Sequence, residues 1–346
     1  KELVDQPMVD VELSDAVSVL VSNGSMTDDE GVFFMRQLEY IQAQSYDVLY
    51  PELKGRTLFA LNTEGGEGIN TITYRSYDKR GETAIIAGKA TDLPRGDISG
   101  KEYSISVRTL GNAFGYSRQE IASAKVTGMP LEARKAEATR RSYEEKVNQI
   151  IFFGSPENNL HGFYDGPAGA PCLTATKTNV AAGVSTTKAW ATKTPDEIIS
   201  DLNTGLTKMF VDTKQLFRPD KLVMSVASKK ILETTPRSLQ SDMSIMNWFL
   251  ANNSFIHSRD QIVDVNEVAG IYPSTAAGVF DSTGQSSEGF TVVASGEDNM
   301  RVREPFPYMH LPVQLKGLEF EINCYGRFAG VEMIRPAAVQ HWMGIA

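Results

Sequence analysis

The sequence predicts an α+β fold, with a mixed core of helices and strands from which long extensions project. Three features predict it: an alternating, turn-tipped region from Asn70 to Gly115, a polar helix from Pro130 to Phe153, and a closing strand pair ending at Arg335–Val339. A projecting ribbon and a helix with a narrow apolar stripe are typical of a chain that meets neighbours. Assembly is therefore the first hypothesis.

Length and composition place the chain among ordinary folded proteins. With 346 residues, two subdomains plus extensions are a better expectation than one core. Hydrophobic residues make up 41% and charged residues 22%, as in globular domains. The longest apolar runs, such as Thr83–Ala87, fall far short of the roughly 20 residues that cross a bilayer, so no membrane association is predicted.

Cysteine, histidine and charge argue against several classes of function. Cys172 and Cys324 are too few for a disulfide framework and point to a reducing cytosol. The histidines occur singly, without the spacing of a ligand pair, so no metal or other cofactor is predicted. A net charge of -9 argues against tight nucleic-acid binding, which depends on Lys and Arg displacing counterions from phosphates.

The first residues predict an acidic, extended arm. Val9, Val11 and Leu13 alternate as in a strand laid on another surface, and a frayed terminus is the open alternative. A helix is expected to follow, from the acidic residues 27–30 to Tyr46. The sequence starts at Lys1 without an apolar leader, so secretion is not predicted, while proteolytic maturation and a trimmed sequence both remain open.

Glycine-rich and nucleophile-like stretches do not form a catalytic pattern. A short strand is predicted at Thr57–Asn62, and the glycines of residues 65–68 that follow fit neither a dinucleotide nor a phosphate-loop motif. Cys172 has no assignable base, and no Gly-x-Ser-x-Gly elbow occurs. Neighbouring carboxylates such as Glu144 and Glu145 point to different faces. We therefore predict no enzymatic activity.

Alternation of apolar and polar residues predicts a β-hairpin between Asn70 and Gly115, with a tip rich in turn-forming residues at Asp92–Gly100. Its apolar face consists of Ile72, Tyr74, Tyr103, Ile105 and Val107. A two-stranded ribbon is marginal in water, so this face should lie on something. The supporting surface is either the core of the same subunit or the surface of a neighbouring one, and the sequence leaves both alternatives open.

Two helices are predicted after the hairpin. Ser117 and Glu120 have the capping-box spacing that starts a short helix, and Pro130 suits the first position of the long one. The apolar stripe of the long helix consists of Leu131, Tyr143, Val147, Ile150 and Ile151. Glu137 with Arg141, and Arg141 with Glu145, stand at helical neighbour spacing. The polar face of this helix is either solvated or part of a surface that other chains complete, and the sequence leaves both alternatives open.

Residues 195–299 read as a mixed α/β segment. The predicted helices are Pro195–Phe210 and Ser244–Leu250, and the predicted strands are Lys221–Val226, Gln261–Val265 and Phe290–Ala294.

Several segments in order carry a resemblance to a known family. The segments Tyr116–Ile121, Glu144–Asn148, Phe153–Gly154 and Leu160–Phe163 resemble the spine helix and its exit in tailed-bacteriophage major capsid proteins. Ile72–Asp78 and Lys101–Tyr103 look like the extended loop of that family, and Arg335–Val339 is similar to its terminal strand. The resemblance covers most of the chain and rests on the order of these segments.

The resemblance implies the Johnson fold with four regions. These are an N-terminal arm and docking helix (1–56), an extended β-hairpin loop (57–115), a peripheral domain with the spine helix (116–194 plus 300–346) and an axial domain (195–299). It implies a structural major capsid protein that self-assembles as hexamers and pentamers into an icosahedral shell around phage double-stranded DNA. A negatively charged wall tolerates enclosed DNA because mild repulsion keeps the polyanion from sticking.

The implied location is the virion capsid, assembled in the host bacterial cytoplasm, with portal, scaffold and cement proteins as open partners. An encapsulin-like shell around a cargo enzyme is the first alternative. A hydrolase or transferase using the loops around Thr275 and Ser286 is the second. Some relatives join subunits covalently, but no such bond is predicted from Lys89 or Lys101 to Asn323. The candidate inter-subunit contacts are Leu93, Pro94, Arg95, Ile98, Tyr103, Ile105, Val107, Val9, Val11, Leu13, Glu137 and Arg141.

Overall fold

The computed structural model of the chain describes residues 50–85, 95–121, 131–164, 175–184, 187–238, 240, 242–265, 288–317 and 319–345. The predicted arm and its helix therefore lie outside the described residues. So do the individual positions Val9, Val11, Leu13, Lys89, Leu93, Pro94, Pro130, Cys172, Thr275 and Ser286.

The described elements mix helices and strands along the whole chain, which confirms the predicted α+β class. The helices are α1 (Gly55–Leu58), α2 (Leu131–Phe153), α3 (Pro195–Asp212), α4 (Val226–Thr234) and α5 (Ile245–Asn252). The strands are β1 (Ala60–Asn62), β2 (Thr71–Arg80), β3 (Asp97–Ser106), β4 (Arg108–Ser117), β5 (Thr176–Asn179), β6 (Lys221–Met224), β7 (Ile262–Asp264), β8 (Gly289–Val293), β9 (Met300–Arg303), β10 (Phe306–His310), β11 (Gln314–Lys316), β12 (Glu319–Phe328), β13 (Gly330–Met333) and β14 (Val339–Met343).

The predicted hairpin is a two-stranded antiparallel ribbon of β2 and β3. Its register runs from Thr71 opposite Ser106 to Arg80 opposite Asp97. Strand β4 continues from β3 and pairs along its whole length with β12, whose other side pairs with β10 and β11. The ribbon thus leaves the body beside a four-stranded sheet.

Local hydrogen bonds explain the two helices predicted after the ribbon. The amide of Glu120 donates to Ser117 Oγ at 3.1 Å, and the amide of Ser117 donates to Glu120 Oε2 at 3.0 Å, so the predicted capping box is formed. Helix α2 packs on β4, where Asn112 Nδ2 donates to the Thr139 carbonyl at 2.7 Å. The long polar helix is present over Leu131–Phe153 and ends at Phe153, as predicted.

The strand predicted at Thr57–Asn62 is wrong in its first half. Residues Gly55–Leu58 form the helical turn α1, and the strand starts only at Ala60. The turn is fixed because the Gly55 amide donates to Asn148 Oδ1 on α2 at 2.8 Å. Strand β1 then pairs with β9, and β9 with β13, in a three-stranded sheet.

The closing strand pair predicted to end at Arg335–Val339 is also corrected. Strands β13 and β14 belong to different sheets, and Pro336–Ala338 between them is a 3-10 turn. Proline has no amide to donate to a ladder, which suits a turn better than a sheet interior. The final strand is Val339–Met343, which lies between β5 and β8 in a five-stranded sheet of order β5-β14-β8-β6-β7.

This five-stranded sheet is the wall between two hydrophobic cores. Val223, Val293 and Val339 point to the core that contains α2, whereas Leu222 and Val292 point to the core that contains α3, α4 and α5. The sheet takes β5 and β14 from the predicted peripheral segments and β6, β7 and β8 from the predicted axial segment. A division at residues 195 and 299 therefore cuts through one sheet.

The helices predicted in residues 195–299 are present, and one was missed. Thr194 and Glu197 form a capping box at the start of α3, and Ser244 caps α5. The predicted strand Lys221–Val226 ends at Met224, because Ser225 is the N-cap of the unpredicted helix α4. The predicted strands around 261–265 and 290–294 correspond to β7 and β8.

Candidate assembly surfaces

The base of the ribbon is anchored to its own subunit. Arg327 on β12 donates to the Glu67 carbonyl and, at 2.6 Å, to Asn70 Oδ1. The Val107 amide donates to the Asn70 carbonyl at 2.9 Å, which closes the two strands at their root. The Tyr74 hydroxyl donates to the Met333 carbonyl at 3.2 Å. These bonds fix the direction in which the ribbon leaves the body.

The predicted apolar face of the ribbon is covered by this same body. Ile105 and Val107 are 1% and 3% exposed and form a small cluster with Ala329. Tyr74 and Tyr103, directly opposite each other, stack with ring centroids 5.3 Å apart. Ile105 and Val107 therefore have no surface left for a neighbour, so their assignment as inter-subunit contacts is corrected. Tyr103 is half-buried at this root.

The outer half of the ribbon carries its apolar side chains on the opposite face. Residues 75–80 and 97–102 are all exposed, and among them Tyr77 is 63% and Ile98 62% exposed. Because successive side chains alternate and opposite residues share a face, Tyr77 and Ile98 lie on the face opposite to Tyr74 and Ile105. A Cβ built at Gly100 would lie 3.3 Å from the Tyr77 ring, so the ring lies over this glycine.

Helix α2 has one buried face and one charged face. Tyr143, Val147, Ile150 and Ile151 are buried, as the stripe predicted. Glu137 is exposed and Arg141 is half-buried, with Arg141 Nε 2.8 Å from Glu145 Oε1. Burial first, and the Glu304 carboxylate second, raise the pKa of Tyr143. The inter-subunit contact of Glu137 and Arg141 stays a prediction.

Ion pairs centred on two buried carboxylates, Glu304 and Glu332, hold several elements together. The Arg56 guanidinium lies 2.5 Å from Glu304, which is 3% exposed, and 2.8 Å from Glu144 on α2. Glu332, fully buried, accepts from Arg301 and Arg303, each at 2.6 Å. Buried charges that are paired in this way become costly when one partner is removed. They tie α1, α2, β9 and β13 into one body.

Histidine and cysteine side chains meet at one place that the sequence did not indicate. His310 Nδ1 lies 3.1 Å from Cys324 Sγ across the β10–β12 pair, although 14 residues separate them. The alternation of side chains along two strands indicates which residues share a face. It does not give the register in which the strands pair, so the sequence did not reveal this contact. Cys324 is only 2% exposed. The described residues contain no cluster of three or more metal-ligating side chains.

Among the residues that the structure describes, the outer ribbon is thus an exposed surface. Arg95 and Ile98 are exposed, while Leu93 and Pro94 lie outside the described residues. None of the described helices is both long and apolar enough to span a membrane.

Comparison with known proteins gives a consistent set of matches. The sequence model of the family described as "Major capsid protein" matches residues 81–345. The capsid of Myoviridae Phage XM1 superimposes with a TM-score of 0.70 and 19% identity, covering 89% of this chain and 97% of that one. The capsid of a native GTA particle gives a TM-score of 0.56 and 9% identity, covering 89% of this chain and 95% of that one. A structure of Mycobacterium phage Ogopogo gives a TM-score of 0.53 and 12% identity, covering 93% of this chain and 98% of that one. No curated protein sequence matches the chain.

Proposed function

The chain belongs to the major capsid protein family and is a structural shell protein, and from that premise we propose that the outer ribbon joins neighbouring copies in the shell. The observation that carries this is the change of apolar face along the ribbon. The root uses one face to pack on its own body, and the outer half presents Tyr77 and Ile98 on the other. One ribbon can thus serve two bodies at once.

The energetics suit repeated, weak contacts. Burying Tyr77 and Ile98 against another copy would contribute about 1.5 to 3 kcal/mol for each side chain. A single contact of this size is too weak for a stable pair. In a closed shell each subunit makes such contacts with several neighbours, so the particle is far more stable than any one contact.

We propose that the copies form hexamers and pentamers of an icosahedral shell that encloses phage double-stranded DNA. The net charge of -9 suits a wall that contains DNA without binding its sequence. Assembly in the host bacterial cytoplasm, with portal, scaffold or cement proteins as partners, completes the proposal. The mechanism is geometric, and no residue is assigned a catalytic role.

The ribbon face can be tested with two single substitutions. Ile98→Asp places a charge beside Tyr77 on the proposed contact face, and Ser76→Asp places the same charge on the opposite face of the ribbon. Both positions are exposed, so both chains should melt within about 2 °C of the wild type. Sedimentation velocity and negative-stain microscopy should show shells for Ser76→Asp and free subunits for Ile98→Asp. Equal assembly of the two variants would refute the proposed face.

The cargo separates the proposal from the encapsulin-like alternative. Particles purified from a host that expresses the chain with its phage should contain nuclease-resistant double-stranded DNA. Particles that hold a single protein species and no DNA would favour a cargo-enzyme compartment.

A further inference from the structure

Two of the four histidines are buried beside the segment that follows helix α2. The Nδ1 atom of His341 lies 2.8 Å from Thr291 Oγ1, and its ring packs against Phe163 and Tyr164. His161 is 4% exposed and comes two residues before Phe163. Among the described side chains and backbone groups, nothing hydrogen-bonds to its Nε2. A buried polar atom left in this way calls for an explanation.

The backbone of His161 joins this segment to strand β13. Its carbonyl accepts from the Val331 amide at 2.9 Å, and His161 forms a parallel bridge with Gly330. The φ of Gly330 is +82°, and a Cβ at this glycine would overlap the His161 carbonyl oxygen. The imidazole is therefore attached to a close crossing of two backbones, so moving it out of the body disturbs the crossing.

The same segment is bonded to the end of α2 on its other side. The Phe163 amide donates to the Ile151 carbonyl at 2.7 Å, and the Tyr164 amide donates to the Phe152 carbonyl at 3.0 Å. Residues 154–164 thus fold back along the last turn of the helix and connect it to β13. Opening this segment separates the helix end from the three-stranded sheet.

The elements around His161 are poor in groups that could balance a positive charge. The last turn of α2, Ile150–Phe153, has no charged residue. The titratable side chains on the segment itself, on β13 and on β14 are Glu157, Tyr164, Glu332 and His341. Glu157 is exposed, and the Glu332 carboxylate is held by Arg301 and Arg303. Burial lowers the pKa of His161, because the charged ring loses its hydration there.

We propose that His161 is an acid-sensitive latch between the exit of α2 and strand β13. The neutral ring stays in the apolar body, whereas a protonated ring leaves it for water and opens residues 154–164 with it. Because the folded pKa lies below the value of about 6.5 for an unfolded chain, the latch is closed above that pH and weakens as the pH falls below it. The latch belongs to the subunit and does not depend on the contact proposed for the ribbon.

Hydrogen exchange on the full chain tests the latch. Peptides covering residues 154–164 and 329–333 are compared at about pH 7.5 and about pH 5.5, with labelling times adjusted for the slower intrinsic exchange in acid. In the wild type the opening equilibrium should rise about five- to tenfold over this range, because the open form takes up a proton that the closed form does not. His161→Gln carries no titratable ring, so its opening should change less than about twofold.

His257→Gln is the matched control, since His257 is exposed and its loss should leave the wild-type response unchanged. The latch is overturned when the acid response survives in His161→Gln, or when both peptides of the wild type stay equally protected at the two pH values. A rise of equal size in every peptide of the body also overturns it, because the acid sensitivity then lies outside this segment.

The ring itself decides the question when His161→Gln does not fold. A wild-type chain labelled with ¹³C at histidine Cε1 gives four signals, three of which are assigned with His257→Gln, His310→Gln and His341→Gln. The His161 signal should keep the chemical shift of a neutral ring for as long as the segment stays protected. A signal that titrates near about pH 6.5 while both peptides remain protected shows that the ring is charged in place, which overturns the latch.

Discussion

At the scale of single residues, Gly154 determines how the chain leaves helix α2. Its φ is +69°, and a Cβ there would lie 2.6 Å from the Leu160 carbonyl oxygen and 2.7 Å from the Gly162 nitrogen. We predict that Gly154→Ala lowers the free energy of unfolding by about 2 to 4 kcal/mol, from the left-handed φ and the steric conflict together. Urea denaturation of the unassembled subunit measures it.

Gly66 provides the matched control for this substitution. Its φ is +78°, but nothing lies within 4 Å of the Cβ that alanine would add. Gly66→Ala should therefore cost only about 1 kcal/mol, the conformational part alone. Equal losses for the two variants would mean that the close approach of the backbone at Gly154 is unimportant.

Asp264 links stability to pH. Hydrogen bonds from Lys229 first and Lys54 second hold the pKa of its carboxyl at about 2, below the value of about 3.9 for an unfolded chain. Since the folded pKa is depressed, the contribution to stability is present above about pH 4 and is lost as pH falls towards 2. The full contribution of Asp264 to stability is therefore present at neutral pH.

We predict that Asp264→Asn lowers the free energy of unfolding at pH 7 by about 1 to 2 kcal/mol, a figure reduced for partial exposure. The difference from the wild type should fade between pH 4 and pH 2. Thermal unfolding across this range checks it, with the exposed Glu297→Gln as a control of unchanged stability. A difference that persists at pH 2 would contradict the role assigned to the ion pairs.

Residue-scale prediction from the sequence succeeded where the cause is local. The Ser117–Glu120 box depends on two residues three positions apart, and the structure contains it. The His310–Cys324 contact depends on the register of two strands. Nothing within either strand fixes that register, so the sequence alone could not predict the pair.

At the scale of elements, the buried stripe of α2 decides where the helix lies. Ile151 is fully buried, whereas Gln149 on the same helix is exposed. We predict that Ile151→Ala costs about 2 to 4 kcal/mol of unfolding free energy because it leaves a cavity. Gln149→Ala should stay within about 0.5 kcal/mol. Chemical denaturation of both variants measures this, and similar losses would argue that the stripe does not face the core.

The ribbon shows the limit of periodicity as a guide to elements. Alternation identified its strands and its apolar face, because side-chain direction is fixed by the backbone. It could not say that Ile105 would be covered by Ala329 of the same chain instead of by a neighbour. The same limit applies at Thr57, where the bond from the Gly55 amide to Asn148 turns a strand-like sequence into α1.

At the scale of the whole molecule, the outer ribbon should be dispensable for folding and required for assembly. We predict that replacing residues 77–100 by an Asn-Gly turn, which leaves Ser76 opposite Lys101, changes the melting temperature by less than about 3 °C. The chain should then remain unassembled in sedimentation velocity and electron microscopy.

A shorter deletion is the control for this experiment. Replacing only residues 80–97 by the same turn keeps Lys79 opposite Ile98 and so retains Tyr77 and Ile98. Shells should still form. If both shortened chains assemble, or if neither does, the pair Tyr77 and Ile98 is not what joins the copies.

The five-stranded sheet shows which part of the architecture the sequence does not reveal. Strand β14 pairs in parallel with β5 and antiparallel with β8, so three distant stretches of sequence meet in one ladder. Composition and periodicity describe each stretch but not its partner in the sheet. The predicted boundary near residue 299 followed the order of the chain, whereas hydrogen bonding joins both sides of it.

The position of β14 has a consequence for synthesis in the cell. The four strands that share its sheet all precede it in the chain, and all five residues of β14 are buried between β5 and β8. While the ribosome still covers Val339–Met343, β5 has no described strand to pair with, and both cores stay open. A nascent chain therefore cannot reach its final shape, and so cannot add to a growing particle, until these residues have left the exit tunnel.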